Sequence, residues 1–442
     1  MLYALASYAL FFLLWPLLLL HPKTRAGFWR RLGIYPRDFL AGRSGPRIWL
    51  HGASAGDVQS LAPMVAELRA RIPGCTLVFS VITNSGRLMA AQKLARDPAF
   101  ADAITFAPFD LPGATRRAVA AIRPDLLVLE YTEIWPHLIQ AANAAGAAVA
   151  LTNGRFDAHK RGRYRLFFAL AGKPLRKLDA LLMRSEDEAG RVRRLGAVSE
   201  RVHVTGSTKL DALLPRADPT SQAALRERLG IPSGAPVLVA GSLHAGEEAL
   251  VLDAFAQLSK RFADLHLLAA PRYLERAEPL RALASERGLA ARLRTAAPKG
   301  ERVIVLDTVG ELAAMYQLAT VAFVGGSFTA RGGQNILEPA AQGKPVLFGP
   351  NMKNFAEAVE LLRGHGGIPL AGADQLVDAV AALLADPARC AELGELASAA
   401  VSSGRGASAR NAEHLARVLA ECCGQLRLWE RSPDRDRSAE GV

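Results

Sequence analysis

The sequence predicts an α/β protein: two Rossmann-like domains behind an N-terminal transmembrane helix. Three observations predict it. The chain opens on an uncharged apolar run, alternates short apolar runs with amphipathic stretches from Arg47 onward, and carries a proline-rich polar linker, LLPRADPTSQ (213–222), midway. A length of 442 residues independently asks for two cores of roughly 200 residues each.

The apolar run from Leu2 to Leu20 would make a helix of about 28 Å, close to the hydrocarbon thickness of a bilayer. Pro16 is tolerated in such a segment, where a kink or neighbouring groups accommodate it. Lys23, Arg25, Arg30 and Arg31 follow the run and no basic residue precedes it, which predicts a single-pass anchor with the body of the chain on the cytoplasmic side. A cleaved signal peptide competes, but no small-x-small site ends the run. Trp29, Arg30 and Arg31, flanked by Phe28 and Leu32, are expected to meet anionic headgroups; a solvated linker is the alternative. The expected divisions are an anchor at 1–22, a basic juxtamembrane segment at 23–45, domains at 46–212 and 213–430, and a charged, disordered tail at 431–442.

Composition narrows the partners. Half the residues are apolar, 22% are charged and 7% aromatic, as in a globular α/β protein. A formal charge of +12 asks for an anionic partner: a lipid surface, a phosphorylated substrate or nucleic acid. No RNA-binding signature, zinc finger or helix-turn-helix accompanies it, so no nucleic-acid partner is expected. Cys75, Cys390, Cys422 and Cys423 are scattered and read as reduced thiols.

In the first half, IWLHG (48–52), TLVFSVI (76–82), LLVLEY (126–131) and AVALTN (148–153) read as strands, with a helix over 58–72. In the second, the strands are VLVAGS (237–242), LHLLAAP (265–271), VIVLDT (303–308), VAFVGG (321–326) and PVLFGP (345–350). Ligands gather at the carboxyl ends of such parallel strands, which places His51, Asp57, Thr83, Glu130, Glu133 and Asn153 in one candidate cleft.

Four motifs carry chemistry. In HGASAGD (51–57), small residues admit a substrate to the backbone, and Asp57 is placed either to take a proton from a sugar hydroxyl or simply to cap a helix. In EYTEIWPHL (130–138), Glu133 either binds a hydroxyl or a cation, or caps the turn. GSTKLD (206–211) sets Lys209 after a strand-like VHVTG, to meet a carboxylate or phosphate or to lie in solvent. The glycine-rich stretch from Gly325 to Phe355 offers free backbone N–H groups at a helix start, suited to phosphate, and Glu338 to bind ribose hydroxyls. GSLHAGEE (241–248), AAPRY (269–273) and DTVGEL (307–312) follow strands and would converge on the same nucleotide, though each alone reads equally as a helix start. No cluster has metal-ligand spacing, and no nucleophile elbow or Walker loop occurs.

These motifs resemble those of the Kdo (3-deoxy-D-manno-octulosonic acid) transferases, from the anchor to about residue 420. The likeness rests on RLG (31–33), TEIWP (132–136), SEDE followed by RLGA (185–197), G-x-x-K-x-D (206–211), HAGEE (244–248), PR (271–272), DTVGEL, and GG-x-N-x-LEPAA-x-GKPVLFGP-x-x-x-NF (332–355). It implies a GT-B fold, two Rossmann-like domains facing a cleft, in an inverting enzyme that moves Kdo from CMP-Kdo to a lipid A precursor at a bacterial inner membrane. It implies no metal and no cofactor.

Carried across, CMP binding falls on Pro271, Arg272, Val309, Gly310, Glu311, Asn335, Ile336, Leu337 and Glu338, and Lys209 matches a position that stabilises the transition state. Asp57 stands where the family's base is usually glutamate, Tyr131 where a second glutamate is usual, with Glu130 beside it on the opposite side if the strand continues. Gln334 stands where histidine is usual. Asp57, Lys209, Glu130 and Tyr131 are the catalytic candidates; His51, Ser54, Glu133, Arg155 and Arg331 are further candidates for the acceptor side or the cleft. A paralogue with another sugar or acceptor, or a catalytically weakened membrane-associated binding protein, is the alternative that these departures raise.

Overall fold

The computed structural model describes residues 2–430; the tail expected at 431–442 lies outside them. The chain forms two compact units. The first runs to Ala212 and carries a parallel sheet of β1 (Arg47–His51), β2 (Thr76–Val81), β3 (Ala103–Phe106), β4 (Leu126–Glu130), β5 (Ala148–Gly154), β6 (Ala180–Met183) and β7 (Val202–Val204), in the order β3-β2-β1-β4-β5-β6-β7. Its helices include α1 (Leu2–Leu20), α2 (Ala55–Arg71), α3 (Asn84–Arg96), α4 (Pro112–Ile122), α5 (Pro136–Ala144), α6 (Arg161–Leu170), α7 (Glu186–Arg194) and the short α8 (Thr208–Asp211).

Both faces of this sheet are covered, which is why its strands read as continuous apolar runs. Successive side chains point to opposite faces. Trp49, Leu127, Leu129, Val149 and Leu151 accordingly pack with α4, α5 and α7, while Ile48, Leu50, Leu126, Val128 and Ala150 pack with α2.

The second unit repeats the plan with β8 (Val237–Leu243), β9 (His266–Pro271), β10 (Ala291–Leu293), β11 (Val303–Val305), β12 (Val321–Val324), β13 (Val346–Phe348) and β14 (Gly367–Pro369), ordered β10-β11-β9-β8-β12-β13-β14. Its elements include α9 (Glu247–Arg261) and α10 (Leu337–Ala341). The strand order reverses between β1 and β4 in the first sheet and between β8 and β12 in the second, where β11 also lies between β9 and β10. A parallel sheet opens a crevice at the carboxyl ends flanking such a reversal.

Three expectations need correction. The last helix, α11 (Ala407–Glu430), was expected in the domain spanning 213–430, but the chain rejoins the first unit from Arg405. Ala412, Leu415 and Leu419 enter the same core as α2. Asp211 accepts from the backbone N–H groups of Gly406 and Ser408, both at 2.6 Å, fixing the start of that helix.

Arg31, expected at lipid headgroups, is buried. Its guanidinium donates to the carbonyls of Ala26 (3.2 Å) and Ile82 (2.5 Å) and lies 4.4 Å from the Phe106 ring centroid; burial lowers its pKa to about 10. The third correction concerns short strands. β3, β6, β10 and β14 have three or four residues each, too few to show a period.

Helix α1 is long and apolar enough to cross a membrane. Its first half nevertheless touches the first unit. The Tyr3 hydroxyl donates to Asp110 Oδ2 at 2.9 Å, the Gly113 N–H donates to the Tyr8 hydroxyl at 3.0 Å, and Ser7 Oγ lies 3.3 Å from His137 Nε2. Phe11 packs on Phe109 with ring centroids 5.6 Å apart.

Candidate functional site

At the reversal of the first sheet, β1 ends on His51 and β4 on Glu130. His51 is fully buried. Ser80 Oγ accepts from Trp49 Nε1 at 2.7 Å and lies 3.0 Å from His51 Nδ1. A serine that has accepted the indole proton can give its own to Nδ1, which places the imidazole proton on Nε2. That nitrogen has no hydrogen bond and faces Glu133 Oε2 at 3.6 Å. Glu133 in turn accepts from Trp135 Nε1 at 2.9 Å. His51 and Glu133 therefore form a polar wall held by two tryptophans.

Beside them lies a second cluster. The Glu130 side chain is buried, accepting from Asn153 Nδ2 at 2.5 Å with Thr152 Oγ1 2.6 Å from its other oxygen. Burial is the largest influence on its carboxyl and raises the pKa to about 8; the nearby Asp57 charge adds to this, and Lys209 opposes it. Near neutral pH Glu130 thus keeps its proton.

Tyr131 does not continue the strand as assumed. Its φ of 58° is left-handed, a strained choice for an aromatic residue, and brings its ring under Lys209, whose Nζ lies 4.9 Å from the centroid. The ring of Tyr131 thus lies under Lys209, whose charge also reaches Glu130.

Asp57 sits in the first turn of α2, and Oδ2 accepts from Ser54 N (2.8 Å) and Ser54 Oγ (2.9 Å). The capping role is therefore real. It uses one carboxylate oxygen, and Oδ1 has no hydrogen bond among the described residues. Asp57, Glu130, Tyr131 and Lys209 are brought together, with Ser54 on Asp57 and His51 and Glu133 alongside. Arg155, just beyond β5, is exposed.

In the second unit Pro271 ends β9 and Arg272 follows it, close enough to Glu338 for its charge to lower the latter's pKa against the stronger raising effect of burial. Asn335 donates to Glu338 Oε1 at 3.1 Å and caps α10 by accepting from Leu337 N at 3.1 Å; Ile336 is buried beneath. Val309 and Gly310 form an exposed loop after β11, and Glu311 there accepts from Arg294 at 3.2 Å. Arg272, Asn335 and Glu338 are gathered; contact between them and residues 309–311 is not formed by any of these bonds. Arg331 is exposed.

The glycine-rich loop departs from expectation. Its N–H groups at 326–328 are not free for phosphate, because the buried Glu247 takes them all. Glu247 Oε2 accepts from His244 N (3.0 Å) and Gly326 N (2.6 Å), and Oε1 from Ser327 N (3.0 Å) and Phe328 N (2.9 Å). Gly326, Gly332 and Gly333 all have positive φ, so the loop's shape needs glycine. Gln334 Nε2 lies 3.3 Å from His244 Nε2, and burial lowers the His244 pKa, so the neutral ring accepts from the amide. Sequence reading missed Glu247 as a positioning residue. The signal was its place in HAGEE, directly after a strand.

A family profile described as "3-Deoxy-D-manno-octulosonic-acid transferase (kdotransferase)" matches residues 26–212. A 3-deoxy-D-manno-octulosonic acid transferase of Bordetella pertussis is 31% identical over 436 residues, covering 93% of this chain and 98% of that protein. The chain belongs to the Kdo transferase family. A second relative of the same description, from Haemophilus influenzae, is 29% identical and covers 88% of this chain and 90% of its own length. This transferase is accordingly a glycosyltransferase. Its fold is also that of a UDP-GlcNAc 2-epimerase from Neisseria meningitidis, with a TM-score of 0.57 at 15% identity over 84% of this chain and 99% of that one. That likeness establishes the two-sheet GT-B architecture of the transferase and nothing about its substrate.

Proposed function

We propose that the protein transfers Kdo from CMP-Kdo to a lipid A precursor, with inversion at the anomeric carbon. It would do so on the cytoplasmic face of a bacterial inner membrane, held there by α1. Asp57 takes the proton of an acceptor hydroxyl, the hydroxyl oxygen bonds to the anomeric carbon, and the bond from that carbon to the CMP phosphate oxygen breaks, its electron pair leaving with CMP. Lys209 stabilises the negative charge that develops. The second unit holds CMP through Arg272 and Asn335 on phosphate and base and through Glu338 on the ribose. A monophosphate leaving group asks for no metal.

The observation that carries this reading is the pairing of two carboxyls with different tasks. Glu130 is walled in and keeps its proton, while Asp57, whose charge reaches Glu130, retains an oxygen with no hydrogen bond among the described residues. Aspartate and tyrosine in places where the family usually has glutamate favour one second reading, a paralogue with another acceptor or sugar. Incubating the detergent-solubilised chain with CMP-Kdo and candidate acceptors, and weighing the products, separates the two: a mass gain of Kdo on the lipid A precursor supports the first, and gain only on another acceptor supports the second.

A further inference from the structure

Helix α6 carries an apolar face that its own unit leaves largely exposed. Only Phe168 among its residues is buried, while Leu166, Phe167 and Leu170 are 64%, 37% and 54% exposed. With Arg163 they fall at helical spacings of three and four, on one side. Arg161 and Arg165 flank them, so the helix is basic and amphipathic, as interfacial helices are.

This face continues into α1. Tyr3 meets the Phe167 ring edge-on at 5.8 Å, and Tyr3, Ala4, Leu170 and Lys177 line one shared cavity of about 460 Å³. The outer side of α1 exposes Leu5, Leu10, Phe12, Leu13, Trp15, Leu17 and Leu20. Together the two helices expose many large apolar side chains, with Tyr3 and Phe167 in contact where the helices meet, as at sites that bind a membrane or a partner.

Behind α6 lies a cavity of about 560 Å³. Arg165, Lys173, Arg176 and Arg194 line it over a base of Phe168 and Leu175, with Glu200 its one carboxylate. None of the four cations makes an ion pair among the described residues. Four such charges beside an apolar face complement the phosphate layer of an anionic leaflet.

The contacts of α1 decide how it lies. A helix crossing the bilayer would carry Tyr3 about 25 Å from its last turn along the membrane normal, away from the unit. Instead Tyr3, Ser7, Tyr8 and Phe11 all rest on the unit. We propose that α1 and α6 form a single membrane seat, both lying at the headgroup–acyl boundary of one anionic leaflet. In it α1 lies lengthwise and does not cross, and the basic cavity behind α6 receives a lipid phosphate.

The test uses the full chain with Cys422 and Cys423 replaced by serine, a single NBD label at Leu166→Cys or Leu5→Cys, and proteoliposomes of three parts phosphatidylethanolamine to one part phosphatidylglycerol with the globular units outward. Both labels should emit as in lipid, be quenched at least twofold more by shallowly than by deeply brominated lipid, and be reduced by dithionite added outside. Replacing Arg165, Lys173, Arg176 and Arg194 by glutamine should return the 166 label to water-like emission while the label at 5 stays in lipid. Water-like emission at 166 in the unaltered seat, or a label at 5 protected until the vesicles are lysed, overturns the proposal. No transfer reaction is measured, so this result and the fate of the transferase reading are independent.

Discussion

Glu130→Gln separates a proton-holding carboxyl from a catalytic base, and the structure sets its size. The glutamine has the shape and hydrogen-bonding pattern of protonated glutamic acid: its amide can donate to Thr152 while its oxygen accepts from Asn153. Below about pH 4.5 both folded and unfolded wild-type chains hold the Glu130 proton. Between there and about pH 8 the folded chain keeps it and the unfolded chain releases it, so stability falls as pH rises. At about 1.4 kcal/mol per pH unit, wild type should lose about 3 kcal/mol relative to Glu130→Gln between pH 4.5 and 7. All five tryptophans belong to the first unit, so urea unfolding in detergent followed by tryptophan emission reads that unit. Parallel pH profiles for the two proteins would refute the account of Glu130, and so would a loss of transfer at pH 7 of about 100-fold or more, the scale of a missing acid or base.

Asp57→Asn keeps an oxygen for Ser54 and so preserves the cap, yet should cost at least about 100-fold in transfer rate with little change in urea midpoint; retained rate would remove Asp57 as base. Glu247→Gln leaves two of its four backbone donors facing an amide nitrogen, which should destabilise the second unit by about 2–4 kcal/mol and raise the KM for the donor. Hydrogen exchange at residues 326–328 checks this, with unchanged protection counting against it. Arg272→Ala should weaken CMP binding about 10- to 100-fold by calorimetry on the full chain, in line with one charge-assisted bond lost.

Much of this was legible in the residues, and the reasons differ by element. Long strands such as β1, β4 and β8 announce themselves because burial on both faces makes them unbroken apolar runs. The ends of β1 and β4 then locate His51 and Glu130 without further information. What sequence could not reveal depends on partners distant along the chain. Arg31 looks like any basic residue after an anchor until Ile82 and Phe106 are seen to enclose it. Glu247 looks like an ordinary first-turn carboxylate until the loop some 80 residues on is folded against it. Asp57 carried two readings from one residue, and the structure sustains the capping one on Oδ2 while leaving Oδ1 available for the other. Tyr131 was misplaced because strand alternation was extended one residue too far, past a left-handed turn that no local signal marks.

The most direct measurement of the central claim is mass analysis of the lipid product after incubating the solubilised chain with CMP-Kdo and a lipid A precursor, run beside Asp57→Asn. The account predicts a Kdo added by the wild type, CMP released in equal amount, and almost none of either with the variant. An unchanged lipid with wild-type protein that still binds CMP would contradict it.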